Sequence, residues 1–200
     1  SGEAALAQAG LDISEIECFD LYSCFPSAVQ VACDELGIPV DDPRGVTLTG
    51  GMSLFGGPGN NYSLHAIAEV FERLRTGASE TGLITANGGY LTKHAVGVYA
   101  RSAGAEPYTS IVDAALQAEV DKQAGPGVVD EGNGALLIQA HTVKYQGDEP
   151  ETAILIGSLE DGSRCVARSE ACDVIDAFLS ADCVGKTGVV EHREGVNHFR

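Results

Sequence analysis

The clearest periodic stretch in the chain is Gly50 to Arg75, GGMSLFGGPGNNYSLHAIAEVFERLR. Its first half holds Gly50, Gly51, Gly56, Gly57, Pro58 and Gly59, and reads as a loop too rich in glycine to pack as an element. Its second half, Asn60 to Arg75, predicts a helix. Leu64, Ile67, Ala68, Phe71 and Leu74 recur at the spacing of one apolar helical face. Gly77 stops it, and Arg73 and Arg75 fall in the last turn, where cations suit the helix dipole.

The rest of the first hundred residues alternates helix-type and strand-type patterns. Glu3–Ala9 is helical in composition and ends at Gly10, so the chain is expected to open inside a helix of something longer. Ile16–Leu21 (IECFDL) alternates like a strand, and Tyr22–Phe25 is a turn. Pro26 starts a helix with Val29, Ala32, Cys33 and Leu36 on one face, ending at Gly37. A polar connection, Ile38–Arg44, leads to a short strand at Val46–Thr49. Thr81–Ala86 and Ala95–Ala100 predict two antiparallel strands around a tight turn at Asn87, Gly88 and Gly89. The order describes an α/β layer: a mixed sheet with helices and an antiparallel closing strand.

After about Ser102 the pattern changes. Ile111–Val120 predicts a short helix, and Gly125, Pro126 and Gly127 punctuate. Ala135–Lys144, Thr152–Leu159, Arg164–Arg168 and Val189–Phe199 then read as strands, with a hairpin turn at Glu160–Ser163 and one helix at Ala171–Leu179. This part is expected to be a small β-rich barrel or curled sheet. The domains expected are a core at 1–105, a linker with a helix at 106–127, and a β-rich domain at 128–200.

Composition narrows the class. Hydrophobic residues make up 44% of the chain, enough for a core, and no apolar run is long enough to span a membrane. The net charge is −17, with 29 acidic against 12 basic residues, which argues against a nucleic-acid partner. Six cysteines without a CxxC pair, and five histidines without ligand spacing, argue against a zinc site and fit reduced thiols in a cytoplasm. Cys24 and Cys33, at helix spacing, read as small buried apolar residues. A glycine loop feeding a helix brings bare backbone and free N–H groups to one place, which suits an anion or a carbonyl oxygen. The other reading is a sharp turn that needs glycine only for its dihedrals.

Three landmarks then resemble, in order, the C-terminal half of a thiolase. Tyr22-Ser23-Cys24-Phe25 stands where thiolases carry Asn-Glu-Ala-Phe and the sterol-carrier type His-Asp-Cys-Phe. GGMSLFGGPG looks like the thiolase GGxxxxGHP loop, with Gly57 at the histidine position. TANGGYL, Thr85–Leu91, stands at the Cys-x-Gly loop and offers no matching cysteine. The β-rich extension resembles the additional C-terminal domain of thiolase-like proteins of type 1, which are acetyl-CoA-acetyltransferase-like and whose extra domain is compared with an OB-type barrel.

The resemblance implies acyl-CoA chemistry in lipid metabolism, with a coenzyme A thioester as substrate and no tightly bound cofactor. It implies acyl transfer or a retro-aldol C–C cleavage, at a site shared with an N-terminal half that would carry the nucleophile. The chain alone is then expected to be inactive. Tyr22 resembles the tyrosine acid/base of thiolase-fold aldolases, or is a tyrosine packed at a strand end. His65, near the start of the loop helix, and His94 with Tyr90, flanking the NGG turn, either face a substrate or are structural. Gly56, Gly57, Gly59, Asn60, Asn87 and Gly88 complete the expected substrate surface, although Asn60 and Asn61 also suit helix capping. The competing reading is a catalytically silent module that binds an acyl-CoA or a partner protein.

Overall fold

A computed structural model describes residues 1–104, 113–123 and 125–200. Residue 105 of the expected core and residues 106–112 and 124 of the expected linker, with Ile111 and Val112 of the expected helix, lie outside them. The chain divides into two compact units, Ser1–Ala118 and Glu119–Arg200.

In the first unit, α1 (Gly2–Ala9) ends at Gly10, whose left-handed backbone turns the chain. Strand β1 (Cys18–Asp20) is followed by α2 (Pro26–Leu36), α3 (Met52–Phe55), α4 (Tyr62–Thr76), β2 (Thr81–Gly88) and β3 (Lys93–Ala100). The sheet order is β1-β2-β3. β1 runs parallel to β2, with Phe19 opposite Leu83, and β3 is antiparallel to β2, with Asn87 opposite His94. This is the mixed sheet with an antiparallel closing strand that the pattern predicts.

Strand alternation sends successive side chains to opposite faces. Phe19 and Leu21 join Ile16, Cys33, Ile38 and Leu83 in one apolar cluster. Cys18 packs on the other face with Ala66, Val70 and Leu74 of α4 and with Ile84. Asp20, two residues on, therefore points to the α4 side. Helix α4 lies close to the sheet: a Cβ on Gly82 would come within 2.7 Å of Val70 and 3.0 Å of the Cys18 sulfur.

Several expectations need correction here. The buried face of α4 is Tyr62, Ala66, Val70 and Leu74, while Leu64 and Phe71 are 67% and 61% exposed. Only Leu74 of the expected stripe is buried, on the face where Ala66 and Val70 allow the helix to approach the sheet. The helix is thus apolar on two faces. Val46–Thr49 is not a strand, because its backbone donors go elsewhere: Leu48 and Thr49 donate to the Asp20 carboxylate. The glycine loop is not wholly irregular, since α3 forms within it. Asn87 and Gly88 belong to β2 and pair with His94 and Lys93, so the turn lies beyond them. Cys33 is buried as expected, but Cys24 is only partly buried.

The polar connection hides a clasp. Arg44 Nε and Nη2 donate to the two Asp42 carboxylate oxygens, each at 2.8 Å. Its Nη1 donates to the carbonyls of Ile13 and Ile16, and the guanidinium stacks over Phe19 at 4.6 Å. One planar cation thereby ties three segments together.

Helix α5 (Asp113–Asp121) runs across the division, and the second unit continues with β4 (Gly134–Gln146), β5 (Glu149–Ser158), β6 (Arg164–Ser169), α6 (Cys172–Ser180), β7 (Thr187–Arg193) and β8 (Val196–Phe199). The expected strand Val189–Phe199 is two strands, broken by a turn at Glu194 and Gly195, both in left-handed backbone. Pairing runs β4-β5-β6-β8-β7 and returns from β7 to β4, closing a barrel. Its interior holds Leu136, Ile138, Leu155, Cys165, Val190 and Phe199, and α6 adds Ile175 and Phe178. Asn197 is a buried cross-brace: its amide donates to the carbonyls of Asp130 and Val166, and its oxygen accepts from the Gly132 N–H.

The Arg44 pair holds the Asp42 carboxyl down to about 2, chiefly through the side-chain hydrogen bonds from Arg44. An unfolded aspartate titrates near about 3.9. The clasp therefore adds stability that is present above about pH 4 and is lost as the pH falls toward about 2. Asp42→Asn is expected to remove this component of the acid limb, measured as urea-unfolding stability against pH. An unchanged acid limb would contradict it.

Candidate functional site

The centre of the site is a carboxylate. Asp20 is completely buried at the end of β1, where its strand parity aims it at α4. Its Oδ2 accepts the backbone N–H groups of Leu48 and Thr49, each at 2.9 Å, and contacts Thr49 Oγ1 at 3.0 Å. Its Oδ1 accepts from the Tyr62 hydroxyl at 2.9 Å. Thr49 Oγ1 and the Tyr62 hydroxyl also lie 2.7 Å apart. Two hydroxyl hydrogens thus serve three oxygen–oxygen contacts, and the triangle is drawn tight around one charge. Burial lifts the Tyr62 phenol above its usual range, and the Asp20 carboxylate adds to the rise, so Tyr62 stays protonated as a donor.

This network reaches the glycine loop. Thr49 Oγ1 accepts the Gly51 N–H at 3.2 Å, and Ser23 Oγ accepts the Met52 N–H at 2.8 Å. A Cβ on Gly51 would meet Ser23 Oγ at 3.2 Å, and the positive φ there also requires glycine. The Tyr22–Phe25 turn is tied to the third landmark as well. The Tyr22 N–H donates to Thr85 Oγ1 at 2.8 Å, and the Cys24 thiol donates to Asn87 Oδ1 at 3.3 Å. All three sequence landmarks therefore meet at the C-terminal ends of the parallel strands β1 and β2, where open α/β sheets hold their ligands.

The predicted residues fall as follows. Tyr22 is partly exposed, its ring edge-on to Tyr62 with centroids 5.4 Å apart. Asn87 is bonded to Cys24, and Gly88 pairs with Lys93. Gly56 and Gly59 have left-handed backbone and Gly57 does not. A Cβ on Gly57 would touch Tyr62 at 3.0 Å and Met52 at 3.3 Å, so those side chains occupy the direction a side chain there would take. Asn60 is exposed, and Asn61 stands at the N-cap without a side-chain capping bond. His65 packs its ring against Phe55, 5.1 Å away. His94 is exposed, with Nε2 2.9 Å from the Leu91 carbonyl. Tyr90 is 87% exposed.

Sequence reasoning missed Asp20, Thr49, Tyr62 and Ser23. One signal was available: an aspartate inside the apolar run of β1, on the same face as Cys18. Among the described residues, one surface hollow is lined by Asn133–Ala135 and Leu159–Asp161 and another by Phe71, Leu74, Arg75, Tyr99, Ala100 and Arg101. Neither contains a landmark residue. Among the described residues no cluster of histidine, cysteine or acidic side chains could hold a metal, and no helix is long and apolar enough to cross a membrane.

With this geometry the fold is thiolase-like. Over its whole length the chain is 39% identical to a monomeric SCP2-thiolase like protein type 1 from Mycobacterium smegmatis, and matches its crystal structure with a TM-score of 0.88. Residues 115–195 match the thiolase-like protein type 1 additional C-terminal domain. The resemblance drawn from the sequence, to a thiolase-like protein of type 1 with its additional domain, therefore stands. The chain spans 44% of the length of the mycobacterial protein. No curated protein matches it.

Tyr62→Phe deletes one donor to a buried carboxylate. It is expected to cost on the order of 1–3 kcal/mol of stability, read from urea unfolding. A loss below about 0.5 kcal/mol would show that the hydroxyl does not hold the network together.

Proposed function

We propose that this chain supplies part of an acyl-CoA site in a thiolase-superfamily protein, acting in acyl transfer or in a retro-aldol type of C–C cleavage. The observation that carries the reading is the convergence of Tyr22–Cys24, the glycine loop and Asn87 at one end of the parallel strands. The thioester oxygen would lie against bare backbone at Gly56–Asn60, with Asn87, Gly88 and Tyr90 on the opposite side. Tyr22 is the proton donor of choice: its hydroxyl has no hydrogen-bond partner among the described residues. His65 and His94 are the reserve candidates. Neither Gly57 nor the third loop supplies a thiolase side chain, so classical thiolysis is not what this half would support.

The rest of the site would come from a longer protein, whose N-terminal half would also cover the second apolar face of α4. Leu64 and Phe71 on that face, with Leu54 and Phe55 of α3, are the large apolar groups it would bury. We read the barrel as OB-type. Its strand order, its helix between the third and fourth strands and its parallel β6–β8 pair support that. Its surroundings are too acidic for nucleic acid to be the partner. A cytoplasmic role in lipid metabolism goes with six free cysteines.

One observation favours a silent module that binds an acyl-CoA or a partner protein: Met52 and Tyr62 fill the direction a Gly57 side chain would take. Tyr22→Phe in the longer protein separates the two readings. With a β-hydroxyacyl-CoA as substrate, cleavage is expected to fall by roughly 10²–10⁴-fold. Unchanged turnover would remove Tyr22 from the chemistry, and an inactive parent would favour the silent module. The present chain alone is expected to show no thiolysis, and measurable thiolysis would contradict a shared site.

A further inference from the structure

The barrel unit holds a second cluster of ionisable groups, remote in sequence from the landmarks. His141 of β4 is largely buried, with its side chain 13% exposed. Its ring packs against Phe178 of α6, centroids 4.4 Å apart. Its Nε2 accepts the backbone N–H of Cys183 at 3.0 Å, which requires that nitrogen to be bare and the neutral ring to carry its hydrogen on Nδ1. Asp182 Oδ1 stands 3.4 Å from the same nitrogen. A bare imidazole nitrogen and a carboxylate are both acceptors and have no hydrogen to share.

One proton reverses both relations. An N–H at Nε2 can no longer accept from Cys183, and it becomes a charged donor facing Asp182. We infer that His141 is a proton-operated latch on the segment Ala181–Lys186, which joins α6 to β7. The neutral ring holds the Cys183 amide; the protonated ring releases it and bonds Asp182 instead. The far end of the segment stays anchored in either state, because Gly185 donates to the Ile138 carbonyl and Ile138 donates to the Lys186 carbonyl. The Ala181 N–H donates to the Ala177 carbonyl and the Lys186 N–H to the Cys183 carbonyl, so release is confined to the Cys183 amide and its nearest neighbours.

The charged neighbours are few. On the segment itself they are Asp182 and Lys186, whose ammonium lies 3.5 Å from the Cys183 sulfur. The Cys183 thiol faces the Ala177 carbonyl at 3.6 Å. Helix α6 presents Phe178 to the ring, and β5 places Leu155 opposite His141 in register. The Val184 N–H, and next His141 once its ring carries the second proton, hold the Asp182 carboxyl below its usual range. Release would open Cys183, now a buried core residue, to solvent.

The test is NMR of the whole chain between about pH 8 and about pH 5, the range in which histidines titrate. Nitrogen shifts are expected to show Nε2 unprotonated in the neutral ring. The Cys183 amide is expected to lose exchange protection, by roughly tenfold or more, along the same curve that protonates His141, an effect of the order of one hydrogen bond. His141→Gln keeps a side-chain acceptor for that amide and is expected to keep protection while abolishing its pH dependence. Asp182→Asn is expected to shift the transition to lower pH. Protection that does not follow His141, or a neutral ring protonated on Nε2, would overturn the latch.

Discussion

The carboxylate of Asp20 is the constraint that organises the first unit. A carboxylate with no exposure must have its lone pairs met, and here the donors come from two other places in the chain. The segment before the glycine loop gives two backbone amides and the Thr49 hydroxyl, and the first residue of α4 gives its phenol. Satisfying that one group fixes where the loop begins and where the helix begins. It also explains why Val46–Thr49, so strand-like in composition, forms no strand. Its amides answer to a side chain instead.

The large features of the fold were legible because they rest on periodicity. α2, β2, β3, β4, β5 and α6 all follow apolar spacing closed by glycine, proline or a turn. Where reading failed, a long-range partner had overridden the local pattern. The stripe expected on α4 includes Leu74, which is buried, but also Leu64 and Phe71, because hydropathy cannot show that Gly82 lets the helix approach through Val70. The Asp42–Arg44 clasp read as a polar connection, since its other partners lie about thirty residues earlier. The landmarks of the site could be found from the sequence as motifs. The network that joins them could not, because Ser23, Thr49 and Tyr62 are ordinary residue types whose roles come only from their meeting.

The glycine loop is packed closely at Gly57. Gly57 has an ordinary φ, so glycine there is not a conformational need. What it permits is the close packing of Met52 and Tyr62. The residue that fills the space is thus the same one that binds the buried carboxylate. A Cβ at this position would need Tyr62 and Met52 to give by a few tenths of an ångström, so the glycine is matched to the packing around it.

The closed ring of strand pairing in the second unit has a consequence for how such a unit can be inherited. A sheet with a free edge invites pairing with whatever chain is near, and each new context must guard against it. β7 returns to β4, so the ring offers no unpaired edge strand. Its apolar interior is likewise filled by its own strands and by α6. Such a unit can be joined to an existing chain without asking its host for hydrogen bonds, and could be moved between hosts as a cassette.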